Sequence, residues 1–422
     1  MQLADKIFLD AYFRPRIEFD NLDFNNKTGI DSYSTFRTRL GIAMEDIVPK
    51  TNLYIMFGDS RMMGFSDPYL TGKPIGPNKW DDNVGVIEAF MEVLDLIKPG
   101  TMFKVGRMTN DQGRARIFGP GNWNVYGPRT YDGIKIGYSN EDFALHFWSL
   151  FGQAGDRHWY FDSDTPGVYP DKSIAYKKDH TLAGTDISLW SNMLNFLAFL
   201  DLDQNPVEDS VHGGHNPAFS RITIAANFGW KTRDKEQFSV DLDTAYQFGS
   251  QAYDGGEGDI SAYLVAGELK YRLEPKLSSF IGAGFDIISG DDGSSSDKIS
   301  NFYEYYYSRH RFQGHMDYFK NPSGIKSKGL QDFIFRAGFS PHKKLVFQLD
   351  LHHFQTEKSF ESAENGGSSH ILGKELDTTL DYKIRKGLTA QFGYDIFWPT
   401  EDWQGSDSDA STFCYMSITA SF

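Results

Sequence analysis

The chain has 422 residues, a formal net charge of −15 and a mean hydropathy of −0.46. The acidic balance argues against nonspecific binding to nucleic acid, and a single cysteine, Cys414, excludes an intramolecular disulfide. No run approaches the roughly 18 consecutive apolar residues of a transmembrane helix. Aromatic residues still make up 15% of the chain. This combination suits a protein whose apolar face points outward in a thin band.

A period-two alternation of apolar and polar residues predicts eighteen strands along the chain. Most are close to the roughly 9–11 residues that a membrane-spanning strand needs. In chain order the predicted strands are 6–20, 33–45, 51–60, 83–95, 101–109, 130–139, 142–151, 180–190, 192–202, 218–231, 236–249, 260–272, 276–289, 330–340, 344–355, 372–385, 387–397 and 411–422.

The connections between these strands alternate in length. Links after even-numbered strands are short, such as SNE and IRKG, whereas links after odd-numbered strands are long and polar, such as 61–82 and 110–129. Short turns at one end and long loops at the other are typical of an outer-membrane barrel. Both chain ends then lie on the periplasmic side. The last strand, STFCYMSITASF, ends in Phe422, an aromatic carboxy terminus that such barrels usually have.

The predicted fold class is therefore all-β: a single transmembrane antiparallel barrel of about 18 strands over residues 1–422, with short periplasmic turns and long extracellular loops. A soluble propeller would show a repeat of about 40–45 residues, which the chain lacks. We expect the protein in the outer membrane of a Gram-negative bacterium. The opening MQLADKIFLD contains no signal peptide, so we expect the signal peptide to be removed or absent.

Alternation also predicts which side chains face the water inside the barrel. In STFRTRLGI, Arg37 and Arg39 share one face, opposite Leu40 and Ile42. In YFRPRIEFD, the charged inward set is Arg14, Arg16, Glu18 and Asp20. The same test marks as inward Glu88, Glu92, Lys104, His146, Arg221, Asp241, Asp243, Glu268, Lys270, Arg272, Arg336, Asp350, His352, Asp377, Asp381, Lys383 and Asp395.

The first two strands thus bring four arginines to neighbouring positions. Guanidinium groups bind carboxylate or phosphate through two parallel hydrogen bonds, so these strands predict an anion-binding wall. The alternative is that the arginines only balance nearby acids such as Glu18 and Asp20, because any wide barrel needs polar residues facing its interior.

Three stretches resemble the bacterial alginate-export porins and their wider relatives. The first is GRMTNDQGRARIFGPGNWNVYGPRTYDGIKI, residues 106–136, the second is RHRFQGHMDYF, residues 309–319, and the third is the pair RPRIEFD and FRTRLGI. The residues that carry the resemblance are Gly106, Arg107, Arg116, Gly119, Trp123, Arg129, Tyr131, Asp132, Gly133, His310, Gly314, Met316, Asp317 and Tyr318.

The resemblance implies an 18-stranded outer-membrane barrel that passes an anionic polyuronate through an arginine-lined constriction. The acids on later strands and the net charge of −15 argue against a pure polyanion conduit. An organic acid is therefore a second substrate class. The predicted substrate-path residues are Arg14, Arg16, Arg37, Arg39, Lys104, Arg107, Arg116, Arg129, Asp132, Glu18, Glu88, Asp241 and Glu268.

Two long loops are expected to shape the channel. The 110–129 loop, rich in glycine, arginine and aromatic residues, is a candidate to fold inward and narrow the pore, and 290–329 is either an extracellular lid or partly folded into the lumen. Asp291, Asp292 and Asp297 are closely spaced oxygen donors and make a weak calcium candidate, because they lack the full spacing of a known calcium loop.

We expect no enzyme activity and no cofactor, because no nucleophile–base spacing or phosphate-binding loop is evident. The expected partners are outer-membrane lipid and lipopolysaccharide, the polar or anionic saccharide itself, and a periplasmic secretion partner, but no nucleic acid. One alternative function is an occluded barrel that acts in adhesion or assembly through its long acidic loops. Another is a sleeve around a periplasmic electron-transfer partner.

Overall fold

The computed structural model describes residues 2–63, 84–123, 128–151, 180–203, 207–209, 214–216, 218–232, 237–253, 256–274, 276–295, 297–304, 306–320 and 324–422. Within these ranges, eighteen long strands form one antiparallel sheet. The strands are β1 Ile7–Asn21, β2 Asp31–Val48, β3 Thr51–Met63, β4 Gly85–Leu94, β5 Thr101–Met108, β6 Tyr131–Ser139, β7 Phe143–Phe151, β8 His180–Leu189, β9 Leu194–Asp203, β10 Phe219–Lys231, β11 Phe238–Tyr253, β12 Gly256–Glu274, β13 Ser279–Ile288, β14 Leu330–His342, β15 Leu345–Glu361, β16 Ser368–Arg385, β17 Leu388–Pro399 and β18 Ser411–Ser421.

The sheet closes on itself because β1 pairs with β2 on one side and with β18 on the other. Every other strand pairs with its two neighbours in the chain, so the topology is an up-and-down meander. Closure removes the free sheet edges, which lipid could not satisfy with hydrogen bonds. The eighteen predicted strands and the all-β barrel class are thus confirmed.

Shorter elements accompany the eighteen strands, and two of them join the same sheet: Gln2–Ala4 pairs with β1, and Lys298–Ile299 pairs in parallel with β12. The shorter elements are the strand Gln2–Ala4, the hairpin of Val207–Asp209 with Gly214–Asn216, the strand Lys298–Ile299, the 3₁₀ turns Arg309–Arg311 and Gly324–Lys328, and one helical turn, Glu401–Gln404. No helix in the described ranges is long and apolar enough to cross a membrane.

Tight turns join the strands at one end of the barrel. Gly100, between β4 and β5, has φ +89°, and a Cβ at this position would lie 2.4 Å from the carbonyl oxygen of Ser139. Only glycine satisfies both conditions, so this turn shows how the sequence sets the close spacing of neighbouring strands.

The predicted outward parity carries exposed apolar side chains. Phe13, Ile17 and Phe19 on β1 are 46%, 40% and 46% exposed, whereas the intervening Arg16 is 4% exposed. Phe335, Leu351 and Phe392 on later strands are exposed in the same way. A belt of exposed aromatic and aliphatic residues around a closed barrel is the surface that meets lipid.

Candidate channel constriction

Residues 109–130, between β5 and β6, form loop A, which packs against inward-facing side chains on several parts of the barrel wall. Gln112 donates to Asp186 Oδ1 on β8 at 2.9 Å, and Arg114 donates to Glu268 Oε2 on β12 at 2.9 Å. Arg116 forms two parallel hydrogen bonds with Asp286 on β13, at 2.6 and 2.8 Å. The first half of loop A is therefore fixed to the wall by charge-assisted bonds.

The tip of loop A meets the arginines of β2. Arg37 Nη1 donates to the carbonyl oxygen of Asn122 at 2.9 Å, and Arg39 Nη2 donates to Asn122 Oδ1 at 3.2 Å. Arg37 is only 2% exposed. Because loop A leaves β5 and reaches β2, β8, β12 and β13, it crosses the barrel interior.

The arginines of β1 contact the next residue of the loop. Arg14 Nη2 and Arg16 Nη1 donate to the carbonyl oxygen of Trp123 at 2.8 and 3.1 Å, and the guanidinium of Arg16 lies 4.4 Å from the Trp123 ring centre. Arg16 also forms an ion pair with Glu18, which accepts a further hydrogen bond from the Tyr33 hydroxyl at 2.7 Å. Four arginines thus converge on two adjacent residues of loop A.

Residues 289–329, between β13 and β14, form loop B, which also lies against inward-facing residues. Tyr303 N donates to Gln247 Oε1 on β11 at 2.8 Å. Tyr306 donates its hydroxyl to Asp201 Oδ2 on β9 at 3.0 Å. At the other side of the barrel, Tyr318 Oη and Ser411 Oγ of β18 are 2.5 Å apart. Loop B therefore spans from β9 to β18.

Two apolar clusters hold the loops in place. Phe118 of loop A packs with Tyr306 of loop B, with ring centres 5.1 Å apart, and both belong to a buried cluster with Trp148 and Phe199 of the wall. The second cluster surrounds Phe319 of loop B. Its other aromatic members include Phe24 of the loop after β1, Phe354 of β15, Phe397 of β17 and Tyr415 of β18. Burial of such rings is the main apolar contribution to holding the loops inside.

Charged groups are also buried within loop B. Lys326 is paired with Glu304 at 2.5 Å, and both side chains are nearly inaccessible to solvent. Burial lowers the pKa of Lys326, and the charge of Glu304 opposes that shift. A buried pair of this kind favours one loop conformation, because separating the charges leaves one of them desolvated and unpaired.

The two loops meet in a stack of rings. Trp123 of loop A and His310 of loop B are parallel, with ring centres 3.7 Å apart, and His315 stacks on His310 at 4.7 Å. Burial lowers the pKa of His310 to about 4, so its ring is neutral at neutral pH. The stack links the arginines of β1 to the inward-facing acids of β16 and β17.

His315 lies against those acids. Its Nδ1 is 4.0 Å from Asp377 Oδ2 and 3.8 Å from Asp395 Oδ1. Burial disfavours the charged form of His315, but the negative charges of Asp377 and Asp395 outweigh burial and raise its pKa to about 9. The inward acids of β14 to β17 thus face the histidine end of the stack, while the arginines face its tryptophan end.

A cavity of about 350 Å³ remains between the loops and the wall of β12 to β18. Its cationic lining consists of Arg114, Arg116, Lys270, Arg311 and Arg336, and its acidic lining of Glu268, Asp286 and Asp350. Most of these cations already pair with an acid: Arg336, for example, pairs with Glu268 and with Asp350.

Of the remaining predicted path residues, Arg107, Asp132 and Lys104 lie elsewhere on the wall and Arg129 lies in loop A. Arg107 and Asp132 form two hydrogen bonds with each other, each 2.8 Å long. The ammonium of Lys104 lies 3.5 Å from the centre of the Phe90 ring. Arg129 Nη1 is within 3.4 Å of the carbonyl oxygen of Gly119 in loop A.

Three of the predicted acids contact loop A. Glu88 accepts from the backbone nitrogen of Thr109 at 3.1 Å, and Asp241 lies 3.6 Å from Arg114. Glu268 accepts from the same arginine, as described above. Their roles in substrate passage remain predictions.

The three aspartates of the calcium candidate are held by their own loop. Asp291 Oδ1 accepts from the backbone nitrogen of Gly293 at 2.7 Å, and Asp292 Oδ1 accepts from that of Ser294 at 2.8 Å. Asp297 is hydrogen-bonded to Ser295. Calcium binding at this position remains a prediction.

Sequence reasoning did not assign roles to Arg114, Arg311 or His315. Arg114 and Arg311 belong to loops without periodicity, so no alternation identifies their facing direction. The site around His315 was partly predictable, because alternation marks Asp377 and Asp395 as inward-facing. The sequence spacing does not indicate that a residue of an earlier loop contacts these two strands.

A closed barrel with a lipid-facing apolar belt and loops folded across its interior defines the class of outer-membrane channels. Solved structures of this class match the whole chain. The Pseudomonas aeruginosa proteins OccK8 (OprE) and OccK5 (OpdH) match with TM-scores of 0.61 and 0.59 at 12% and 10% identity, each covering 100% of this chain and 99% of that protein. OpdK of the same organism, solved with vanillate, matches with a TM-score of 0.56 at 12% identity, covering 98% of this chain and 99% of that one.

A family model described as alginate export matches residues 196–416, just over half of the chain. The chain therefore belongs to the alginate export family, as the sequence resemblance predicts. No curated protein matches the chain.

Proposed function

We propose that the channel passes a polar, anionic solute by diffusion, either a saccharide such as a polyuronate or an organic acid. The observation that carries this proposal is the group of four arginines on β1 and β2. Arg14 and Arg37 are directly opposite each other in the ladder, and Arg16 and Arg39 flank them. Like charges at neighbouring positions cost free energy, and a passing carboxylate would offset that cost.

The contacts with loop A support this proposal. The tip of loop A offers backbone carbonyl oxygens and one amide oxygen to the arginines, as Asn122 and Trp123 show. These acceptors are neutral, whereas Arg16 also forms an ion pair with Glu18. Four guanidinium groups at neighbouring positions give this part of the interior a positive field, which the low dielectric of the wall focuses.

Membership of the alginate export family supports the polyuronate, whose repeating units each carry a carboxylate. The similarity to OpdK supports the organic acid, because vanillate is an aromatic carboxylate. Both substrates present the same chemical group to the arginines, so the proposed path is common to them.

The test is single-channel recording in planar bilayers under a potassium chloride gradient. We expect the reversal potential of the wild-type channel to favour chloride, and the double variant R37A/R39A to shift it toward potassium. The matched control is R385A/K386A, which removes two charges from the exposed turn between β16 and β17. That control is expected to keep the wild-type reversal potential.

A reversal potential that favours cations and does not respond to R37A/R39A would contradict the anion path. Addition of oligouronate or vanillate to one chamber separates the two substrate classes, because the bound class should transiently block the chloride current.

The second candidate function is the occluded barrel that acts through its outer loops. The observation that favours it is the dense packing of loops A and B, which meet through the Phe118–Tyr306 contact and the Trp123–His310 stack. A wild-type barrel that inserts into bilayers but shows no conductance would favour this function over the channel.

A further inference from the structure

A histidine of loop B and two aspartates of the wall converge on one point of the barrel interior. Asp377 on β16 and Asp395 on β17 are directly opposite each other in the ladder, and His315 lies over them. The candidate ligand atoms, one on each residue, all lie within 4.8 Å of one another. Asp377 and Asp395 are 1% and 0% exposed.

The separations fit an ion better than a hydrogen bond. His315 Nδ1 lies 3.8 Å from Asp395 Oδ1 and 4.0 Å from Asp377 Oδ2. A hydrogen bond between nitrogen and oxygen requires about 2.7–3.2 Å. Bonds of about 2.0–2.2 Å in the tetrahedral geometry of Zn²⁺ hold two ligand atoms about 3.3–3.6 Å apart, and the two gaps here exceed that spacing only slightly.

The hydrogen-bonding state of these groups is the second observation. His315 Nδ1, Asp377 Oδ1 and Asp395 Oδ2 are all buried and have no hydrogen-bond partner among the described residues. Neighbouring contacts orient the rest of the site. The backbone nitrogen of His315 donates to Asp377 Oδ2 at 3.1 Å, and that of Thr378 donates to Asp395 Oδ1 at 3.1 Å. Buried polar atoms without partners are rare in folded proteins, and an ion is one of the explanations for them. Each aspartate here combines one oxygen held by a backbone nitrogen with a second oxygen that has no partner among the described residues.

We propose that His315, Asp377 and Asp395 form a binding site for a divalent transition-metal ion such as Zn²⁺. The ion binds the neutral imidazole and displaces the ring proton to solvent, and an imidazole nitrogen favours such an ion over Ca²⁺ or Mg²⁺, which prefer oxygen ligands throughout. The cavity of about 350 Å³ reaches His315 and gives the ion an entry path and room for water ligands.

The ion would fasten loop B to the wall, because one ligand belongs to the loop and two belong to adjacent strands. Two neighbouring residues lie beside the site. His352 lies 3.4 Å from Asp377 Oδ2 and 2.8 Å from Asp332. Glu375 accepts a hydrogen bond from the backbone nitrogen of Met316 at 2.8 Å. The Trp123–His310 stack connects this site to the arginine group, but the proposal does not require that a solute passes those arginines.

The test uses the untagged, full-length protein, folded in detergent and equilibrated with Zn²⁺ by dialysis. Metal content by mass spectrometry and affinity by calorimetry are the readouts. We expect one Zn²⁺ per chain in the wild type, and H315Q and D395N to weaken binding by at least roughly 100-fold, because losing a ligand costs more than the roughly 10–100-fold that losing a supporting partner costs. Co²⁺ in place of Zn²⁺ should give visible absorption bands that the same variants alter.

The matched control is D381N, which removes an inward carboxylate from the same strand, β16. Asp381 is partnered by Gln391 at 2.9 Å and lies outside the ligand set. We expect D381N to bind Zn²⁺ like the wild type. Heat-dependent migration on gels identifies variants that have not folded. If H315Q or D395N does not fold, the binding measurement is made with D377N instead.

Absence of Zn²⁺ binding in the folded wild type would overturn the proposal. Binding that persists at wild-type affinity in both H315Q and D395N would also overturn it, because the ion would then be held at exposed carboxylates or histidines elsewhere. Conductance is not among the readouts, so failure of this proposal is distinguishable from failure of the proposed channel function.

Discussion

Arg116 fixes loop A to a strand of the barrel wall that lies far along the chain. Its guanidinium and the carboxylate of Asp286 are both almost fully buried and form two parallel hydrogen bonds. The pair connects positions 170 residues apart in the chain. Neither residue alone could be assigned this role, because a loop arginine and an inward aspartate each have many available partners.

The first prediction concerns this pair. R116M leaves the Asp286 carboxylate buried without its partner, so we expect a loss of about 3–5 kcal/mol in the free energy of unfolding. The measurement is urea unfolding in lipid vesicles, followed by tryptophan fluorescence. In a double-mutant cycle, R116M/D286L should lose much less than the sum of the two single variants. Strictly additive losses would show that the two side chains do not interact.

The second prediction concerns Asp111 in loop A and its response to pH. Desolvation by the surrounding wall and the negative charge of Glu88 raise the pKa of the Asp111 carboxyl from 3.8 to about 6, against the opposing charge of Lys135. The carboxylate is therefore charged above about pH 6 and neutral below it. Lowering the pH from 7.5 to 5 removes a negative charge from the interior, so we expect chloride selectivity to increase.

The measurement is the reversal potential of wild type and D111N at both pH values. At pH 7.5, D111N should already have the reversal potential of the wild type at low pH. Lowering the pH should change the reversal potential of D111N less than that of the wild type, because D111N lacks the carboxyl that titrates. The same pH response in both proteins would assign the change to other groups.

At the scale of elements, loop B is closed at its base. The backbone nitrogen of Asp291 donates to the carbonyl oxygen of Ser327 at 2.7 Å, and a Cβ on Gly290 would lie 1.9 Å from the backbone of Lys328. The two arms of the loop therefore touch where they leave β13 and enter β14. A short turn can replace the segment between them without disturbing either strand.

The third prediction uses this geometry. Replacing residues 293–325 with a short glycine–serine turn should leave the barrel folded and raise its conductance, because loop B packs across the interior from β9 to β18. The control shortens the exposed turn at 363–366, between β15 and β16, which is expected to keep the wild-type conductance. Unchanged conductance after excision of loop B would show that the loop does not limit the ion path.

The barrel strands were predictable from the sequence because lipid outside and water inside impose a strict alternation on every strand. The interior loops were not predictable to the same degree. Trp123 and His310 both occur in stretches that resemble the family, yet their stacking depends on two loops folding toward each other. The convergence of His315 with Asp377 and Asp395 similarly requires the barrel register, which places the two aspartates opposite each other.

At the scale of the whole molecule, the apolar outer surface makes the barrel stable in a lipid bilayer. Phe335 and Phe339 lie on the same outward parity of β14 and are 48% and 42% exposed. Phe335 is near the middle of the strand, whereas Phe339 is close to the turn that follows it. Their depths in the bilayer therefore differ, although their chemistry and strand are the same.

The fourth prediction compares arginine at these two positions. F335R places a charge near the bilayer midplane and should lower the free energy of unfolding in lipid vesicles by about 2–4 kcal/mol, whereas F339R near the interface should cost only about 0–1 kcal/mol. Urea unfolding of both variants in vesicles of one lipid composition gives the comparison, and the same pair in detergent should differ much less. Equal costs at the two positions in vesicles would contradict the assigned depth of β14, and with it the position of the lipid belt around the barrel.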